Sequence, residues 1–91
     1  LRYSSGLGGA GDNDMIVIAG NLVSLGGGAV SRGRLVVSGY QAFSQGRVRI
    51  TTTDPTIDPE VDERMLSDER DLVRMRDGVR RLRELSLHAS V

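Results

Sequence analysis

The chain has 91 residues, of which 38% are hydrophobic and 3% aromatic, and its twelve basic residues balance twelve acidic ones. A free domain of this length buries only about 60–65% of its unfolded surface, so this composition predicts a weak core that is completed against other polypeptide. The zero net charge, with arginine as the only basic residue besides one histidine, argues against a nucleic-acid-binding or membrane-surface protein.

The sequence contains no cysteine, which excludes a disulfide framework and a thiolate metal site. No apolar run approaches the roughly 20 residues that a membrane span needs, and no secretory signal pattern opens the chain. The first residue is Leu1 rather than methionine, so we expect a fragment or a processed chain. The sequence leaves the compartment open, with a preference for the cytoplasm.

Three segments predict β-strands. Residues 15–19 form an apolar run rich in β-branched side chains, which is typical of a strand buried on both faces or in the middle of a sheet. Residues 34–42 and 47–53 are extended in pattern, and Ser44-Gln45-Gly46 between them has turn chemistry. We therefore expect these two strands to pair as a β-hairpin with one face on a core.

The second half of the chain predicts a stiff connection and then a helix. Both prolines fall within residues 54–63, each after an aspartate, which favours an extended path. Ser67 is the predicted N-cap of a helix that runs to about His88. Gly78 interrupts this helix and is expected to allow a close approach to a neighbouring sheet. The predicted apolar face consists of Leu72, Met75, Val79, Leu82 and Leu85. The fold class is thus α+β, an antiparallel sheet (the hairpin plus further strands) backed by a C-terminal helix.

Residues 44–84 carry an ordered series of short motifs. In chain order these are Ser44-Gln45-Gly46 with the strand Arg47-Val48-Arg49-Ile50, Asp54-Pro55, Asp58-Pro59, Leu66, Asp71-Leu72 and Gly78-Val79-Arg80. The series resembles the substrate-domain segment of the glucose–methanol–choline (GMC) oxidoreductases, which are FAD-dependent enzymes that oxidise alcohols. Two departures are that Ala42 stands where the family often has proline, and that Arg64-Met65 replaces the usual Asn-Tyr.

The resemblance implies that residues 1–91 form one partial domain, a segment of a substrate-binding domain whose antiparallel sheet is backed by helices and covers the reactive face of a flavin. It implies that FAD and the catalytic histidine are held by polypeptide outside this chain, so that the chain alone is inactive. The expected partners are the remaining segments of the same flavoenzyme, with an alcohol as the substrate. No catalytic, cofactor-binding or metal-binding residue is assigned within the chain.

Two residues are candidates for lining the substrate cavity. Asn21 and Val23 follow the strand at residues 15–19 and share one face if the strand continues. The resemblance implies that strands of this domain shape the cavity with the face that is turned towards the flavin. A packing role is the alternative for both residues.

Four other features have simpler explanations than a functional site. The Gly-x-Gly-x-x-Gly pattern at residues 6–11 leads into an apolar strand rather than a helix, so we predict a loop and not a dinucleotide site. His88 lacks a neighbouring group to orient it as a base. The acidic residues at 58–63 lack the spacing of a calcium loop. The arginines at 74–83 are interleaved with acids and form no phosphate-binding stripe.

Two alternatives to an alcohol-oxidising enzyme stay open at this point. A non-catalytic α+β interaction module could carry a hairpin and a helix of the same pattern. A cyanohydrin lyase of the GMC type would keep FAD without redox turnover.

Overall fold

The structure is a computed structural model, and it describes residues 1–20 and 33–88. Within these ranges the elements are β1 (Arg2–Tyr3), β2 (Met15–Gly20), β3 (Arg34–Gly39), β4 (Arg47–Arg49), β5 (Glu60–Asp62) and α1 (Glu69–Ser86). The first three strands form one antiparallel sheet in the order β1-β2-β3, and β4 pairs with β5 in a second one. The α+β class with a C-terminal helix is confirmed.

The predicted strand at residues 15–19 is the central strand of the larger sheet. β2 pairs with β3 along its whole length, with Val17 opposite Val37. On its other side the pairing with β1 is extended by Leu1, whose amino group donates to the Val17 carbonyl at 2.9 Å while the Val17 amide donates back at 2.7 Å. The glycine-rich residues 4–14 are the connection between β1 and β2, so they form a loop, as predicted.

The predicted hairpin between residues 34–42 and 47–53 is wrong. Both strands exist, but β3 pairs with β2, and β4 pairs with β5. The reason lies in the connection between them, where the amides of Phe43 and Ser44 donate to the carboxylate of Asp71 on the helix. These bonds hold the chain against the start of α1 and stop it from turning back along β3.

Gly46 is required for a different reason from the one its turn-like sequence indicates. A Cβ atom at this position would meet the carbonyl oxygen of Glu63 at 2.6 Å and would lie closer still to that of Asp62. The backbone of β4 therefore approaches the end of β5 so closely that no side chain fits between them. The stiff connection predicted for residues 54–63 includes β5 itself.

The N-cap of the helix lies one residue later than predicted, and the helix begins at Glu69. Asp68, not Ser67, is the N-cap, and its carboxylate accepts the Arg70 amide at 3.0 Å. The Asp68 amide donates in turn to the hydroxyl of Ser44 at 3.0 Å, which fixes Asp68 at this position. α1 ends at Ser86, so the residues that follow, Leu87 and His88, lie beyond the helix.

The close approach predicted at Gly78 is confirmed. A Cβ atom at Gly78 would lie 2.7 Å from Cγ2 of Val37, 3.2 Å from the hydroxyl of Tyr3 and 3.3 Å from Cε of Met15. The helix thus packs its backbone directly on the three-stranded sheet. As a result the buried face of α1 is centred on Asp71, Arg74 and Gly78.

The predicted apolar face of the helix lies beside this contact rather than on it. Leu72, Met75 and Leu82 are half-buried, whereas the side chain of Val79 is 57% exposed. Because the helix meets the sheet at a glycine and a charged pair, the flanking aliphatic side chains are left partly open. The predicted apolar face is therefore only partly buried within the described residues.

The apolar core is small, in agreement with the composition. Among the described residues the buried apolar side chains are Ala10, Met15 and Val17. No helix in the described part of the chain has the length and apolar character that crossing a bilayer demands.

Candidate functional site

Three charged side chains form a buried cluster beneath the helix, and we call Asp14, Asp71 and Arg74 the ion cluster. The guanidinium of Arg74 lies 3.2 Å from the carboxylate of Asp14 and 2.7 Å from that of Asp71. It also donates to the carbonyl of Gln41 at 3.0 Å. All three charged side chains are almost fully excluded from solvent.

Asp71 is held in its ionised form by the chain segment before β4. Burial acts to raise the pKa of Asp71, but hydrogen bonds from Ser44, Phe43 and Arg74 outweigh this effect and lower it to about 2. The two backbone amides lie 2.6 Å and 3.2 Å from the carboxylate oxygens. Asp71 thus connects the helix to the segment that enters β4.

Asp14 binds the other terminal nitrogen of the Arg74 guanidinium and connects it to the β1–β2 loop. Its carboxylate accepts both the backbone amide and the hydroxyl of Ser5, each at 2.7 Å. Burial acts to raise the pKa of Asp14, but these bonds and the one from Arg74 lower it below its ordinary value. Both carboxylates are saturated by partners, so neither is available as a general base. The ion cluster is a structural connection between the β1–β2 loop, the segment before β4 and the helix.

Phe43 extends this connection to the surface. Its ring lies under the guanidinium of Arg70 at 3.9 Å and near that of Arg74 at 5.3 Å. Such cation–π contacts contribute about 0.5–2 kcal/mol each, with the larger values where the pair is desolvated. One aromatic residue therefore sits at the junction of the segment before β4 with the first turns of α1.

A groove of about 750 Å³ lies between the β4–β5 ribbon and the start of the helix. Its lining residues are Gly39, Ala42, Ser44, Gly46, Arg47, Val48, Val61, Asp62, Glu63, Met65, Leu66, Asp71, Arg74 and Met75. Aliphatic and thioether side chains make up its walls, and the two members of the ion cluster at its inner end are already paired with each other. The groove can accept apolar groups, and the acidic side chains in its lining besides Asp71 are Asp62, which pairs with Arg64, and Glu63.

The sheet β1-β2-β3 has one face under the helix and one open face. Tyr3, Met15 and Val37 touch the helix at Gly78, so the alternate residues point to the other side. We define the open face by the strand residues Arg2, Ile16, Ile18, Arg34, Val36 and Ser38. Ile18 and Val36 are directly opposite each other in the pairing register and are 49% and 37% exposed.

The open face ends in an arginine on either side. The Arg2 guanidinium stacks over the ring of Tyr40 at 4.8 Å. At the other end, Cγ and Nε of Arg34 lie 3.6 Å from the point where a Cβ of Gly20 would stand, so this side chain folds across the glycine. The centre of the face is aliphatic, and no strand residue on it is acidic.

The predicted cavity residues Asn21 and Val23 lie outside the described residues. The glycine pattern at residues 6–11 leads into β2, so these residues do not offer a helix N-terminus to a pyrophosphate. The described residues therefore do not form the dinucleotide part of an FAD site.

The remaining predicted features have ordinary partners. His88 follows the end of α1, and its amide donates to the Leu85 carbonyl. Glu60 pairs with Arg49 across the ribbon at 2.6 Å, and Asp62 pairs with Arg64 at 2.8 Å. Within residues 1–20 and 33–88 no group of three or more metal-ligating side chains comes together.

Sequence reasoning missed the ion cluster. Asp71 and Arg74 are three residues apart on the helix, which is a visible signal, but Asp14 is 60 residues away from Arg74. No local pattern links these two positions. The strand at residues 15–19 is predicted to be buried on both faces or to lie in the middle of a sheet; it is the middle strand, and the described residues leave one of its faces open.

Comparison with known proteins identifies the family. A family model described as GMC oxidoreductase matches residues 42–90, a little over half of the chain. No curated protein matches the chain, and no solved structure matches it. The matched region contains the segment bound by Asp71, the β4–β5 ribbon and the whole of α1. The chain therefore belongs to the GMC oxidoreductase family and carries a segment of its C-terminal domain.

Proposed function

We propose that the chain is the substrate-domain portion of an FAD-dependent GMC-type oxidoreductase that oxidises an alcohol by hydride transfer to flavin. The observation that carries the proposal is the family match over residues 42–90. FAD supplies the redox chemistry when it is bound. In this proposal FAD and the catalytic base belong to polypeptide outside the described residues, and the chain alone is inactive.

The contribution of this chain is to shape the cavity in which the alcohol binds. The helix covers one face of the three-stranded sheet, which leaves the open face as the surface available to a substrate. The ion cluster supports this role because it fixes the β1–β2 loop and the helix relative to each other through buried, hydrogen-bonded charges. A rigid support of this kind holds side chains of the sheet in one geometry.

The alternative of a non-catalytic interaction module is favoured by one observation. The groove beside the β4–β5 ribbon is apolar and open, as a docking surface for another polypeptide would be. In the flavoenzyme proposal this groove is covered by the remaining segments of the same enzyme, which are the proposed partners of the chain. The two proposals therefore differ in what co-purifies with the chain.

The deciding experiment is an absorbance spectrum of the purified native assembly that contains this chain, combined with the intact masses of all co-purifying chains. The proposal expects the two visible bands of oxidised flavin together with polypeptide beyond these 91 residues. A colourless, folded, monodisperse 91-residue protein would contradict it and leave the interaction module. Anaerobic addition of an alcohol then separates the reaction types, because an oxidoreductase bleaches its flavin and a cyanohydrin lyase does not.

A further inference from the structure

The open face has a composition that bears on the class of alcohol. Its centre is the cross-strand pair of Ile18 and Val36, with Ile16 beside them. These side chains offer aliphatic carbon without a hydrogen-bonding group, and Ser38 is the one small polar side chain next to them. Burying a methylene against such a surface is favourable, whereas burying an unpaired hydroxyl is costly. The centre of the face therefore favours hydrocarbon over a polyhydroxylated ligand.

The charges around this centre argue against a cationic ligand. Arg2 and Arg34 stand at the two ends of the face, and its strand residues include no aspartate or glutamate. An amino or quaternary ammonium group on this surface meets positive charge at both ends and no partner in the centre. Charge complementarity thus selects uncharged ligands over cationic ones.

The face also lacks a free aromatic platform for stacking a ring. The one aromatic residue beside its strands is Tyr40, and its ring is already covered by the guanidinium of Arg2 at 4.8 Å. A flat ring laid on the described part of the face would contact the β-branched side chains of Ile18 and Val36 instead.

We infer that the open face selects aliphatic alcohols without a cationic group, and that Ile18 and Val36 are specificity-determining residues. The inference rests on the proposed function, because it takes the open face as the wall of the substrate cavity. The hydrocarbon chain of the alcohol packs across these two side chains. Neither residue takes part in the chemical step.

The test uses the complete flavin-containing enzyme and a series of unbranched primary alcohols. For the unmodified enzyme, kcat/KM rises by about fourfold for each added methylene until the face is covered. In the Ile18→Ala variant this rise becomes shallower for the longer alcohols. Val79→Ala is the matched control, because Val79 is a comparably exposed aliphatic residue on the helix, and it leaves the rise unchanged.

A second variant tests the charge preference of the open face. Val36→Asp introduces an acidic group between the two arginines and is expected to lower kcat/KM for long alcohols while raising it severalfold for an amino alcohol of equal length. Val79→Asp is its control and changes neither value. The flavin spectrum of each variant establishes that the enzyme is still assembled.

The outcomes distinguish a failure of this inference from a failure of the proposed function. A flavin-containing enzyme that oxidises alcohols but shows the same chain-length dependence in Ile18→Ala and Val79→Ala overturns the inference and leaves the proposed function intact. An amino alcohol preferred by the unmodified enzyme also overturns it. An assembly without flavin removes the proposed function, and the inference with it.

Discussion

The two sheets of this molecule differ in how their side chains are covered. The three-stranded sheet has its inner face closed by α1, with Met15 fully buried and Gly78 in direct contact with the strands. The β4–β5 ribbon carries Val48 and Val61 opposite each other, 67% and 57% exposed. A ribbon of two short strands is marginal in water by itself. The first region is therefore held by contacts within the chain, whereas we propose that the second is completed by polypeptide outside it.

The two regions differ in how much of their support comes from the described residues. In the first region the ion cluster and the Gly78 contact hold the helix on the three-stranded sheet. The ribbon instead depends on its backbone pairing, the exposed Arg49–Glu60 bridge and the close passage of Gly46. Exposed ion pairs contribute about 0–1 kcal/mol, so little within the chain stabilises the ribbon.

The largest expected effect on the free energy of unfolding comes from removing the charge of Arg74 in the first region. Arg74→Met leaves two buried carboxylates without their shared cation, which is expected to cost about 3–5 kcal/mol. Urea unfolding of the assembly measures this loss. Arg81→Met is the control: it removes the exposed Arg81–Asp77 pair and the stacking of Arg81 over the Tyr3 ring at 4.8 Å, and we expect a much smaller loss. Equal losses in the two variants would show that the ion cluster does not hold the region together.

Acid should loosen the same region through Asp71. The pKa of Asp71 is about 2 in the folded protein and 3.8 in its ordinary state. A carboxyl group with a depressed folded pKa contributes stability that is complete above pH about 4 and is lost as the pH falls towards 2. The contribution is at most about 2.5 kcal/mol, since each pKa unit corresponds to about 1.4 kcal/mol. Stability measured between pH 5 and 2 should fall less steeply in Asp71→Asn, and an unchanged slope would refute the assignment.

Gly78→Ala tests the close contact between the helix and the three-stranded sheet. The new methyl group meets Cγ2 of Val37 at 2.7 Å, and the β-branched valine has little freedom to move away. Overpacking of this kind costs about 1–3 kcal/mol, from which the helix propensity of alanine recovers about 1 kcal/mol. We expect a net loss of about 1 kcal/mol in urea unfolding. A gain in stability instead would mean that the sheet and helix are not in close contact.

The smallest expected effect is a gain at Arg64, between the ribbon and the helix. Arg64 has φ 46°, in the left-handed region that asparagine adopts more readily than arginine. The GMC pattern usually has asparagine at this position, and the backbone gives a physical reason for it. Arg64→Asn should raise stability by about 0.5 kcal/mol. Arg64→Ala loses the same exposed pair with Asp62 without relieving the backbone, so stabilisation by both variants would contradict this explanation.

Local patterns were sufficient to predict β2, β3, β4 and α1 but not the pairing of the strands, and β5 lies in a segment predicted as a connection. The apolar run of β2, the helix α1 and the close contact at Gly78 all follow from neighbouring residues in the sequence. The partner strands of β3 and β4 do not follow from neighbouring residues. The segment between these two strands is held by the bonds from the amides of Phe43 and Ser44 to Asp71 on the helix, which is far away in the sequence.

The candidate site was even less predictable from sequence. Within the described residues β2 has the helix on one side alone, and as the middle strand of its sheet it takes one of the two placements that its apolar run predicts. The ion cluster joins residues that are far apart in the chain. Asn21 and Val23 stay predictions, because they lie outside the described residues.

The central claim is that α1 and the three-stranded sheet stand on contacts of their own, while the ribbon is completed by the rest of a flavoenzyme. Hydrogen exchange followed by mass spectrometry tests it most directly, comparing the isolated 91-residue chain with the native assembly. The account predicts that amides of β2 and α1 are protected in both samples, and that those of β4 and β5 are protected in the assembly alone. Equal protection of β4 and β5 in the two samples would contradict it.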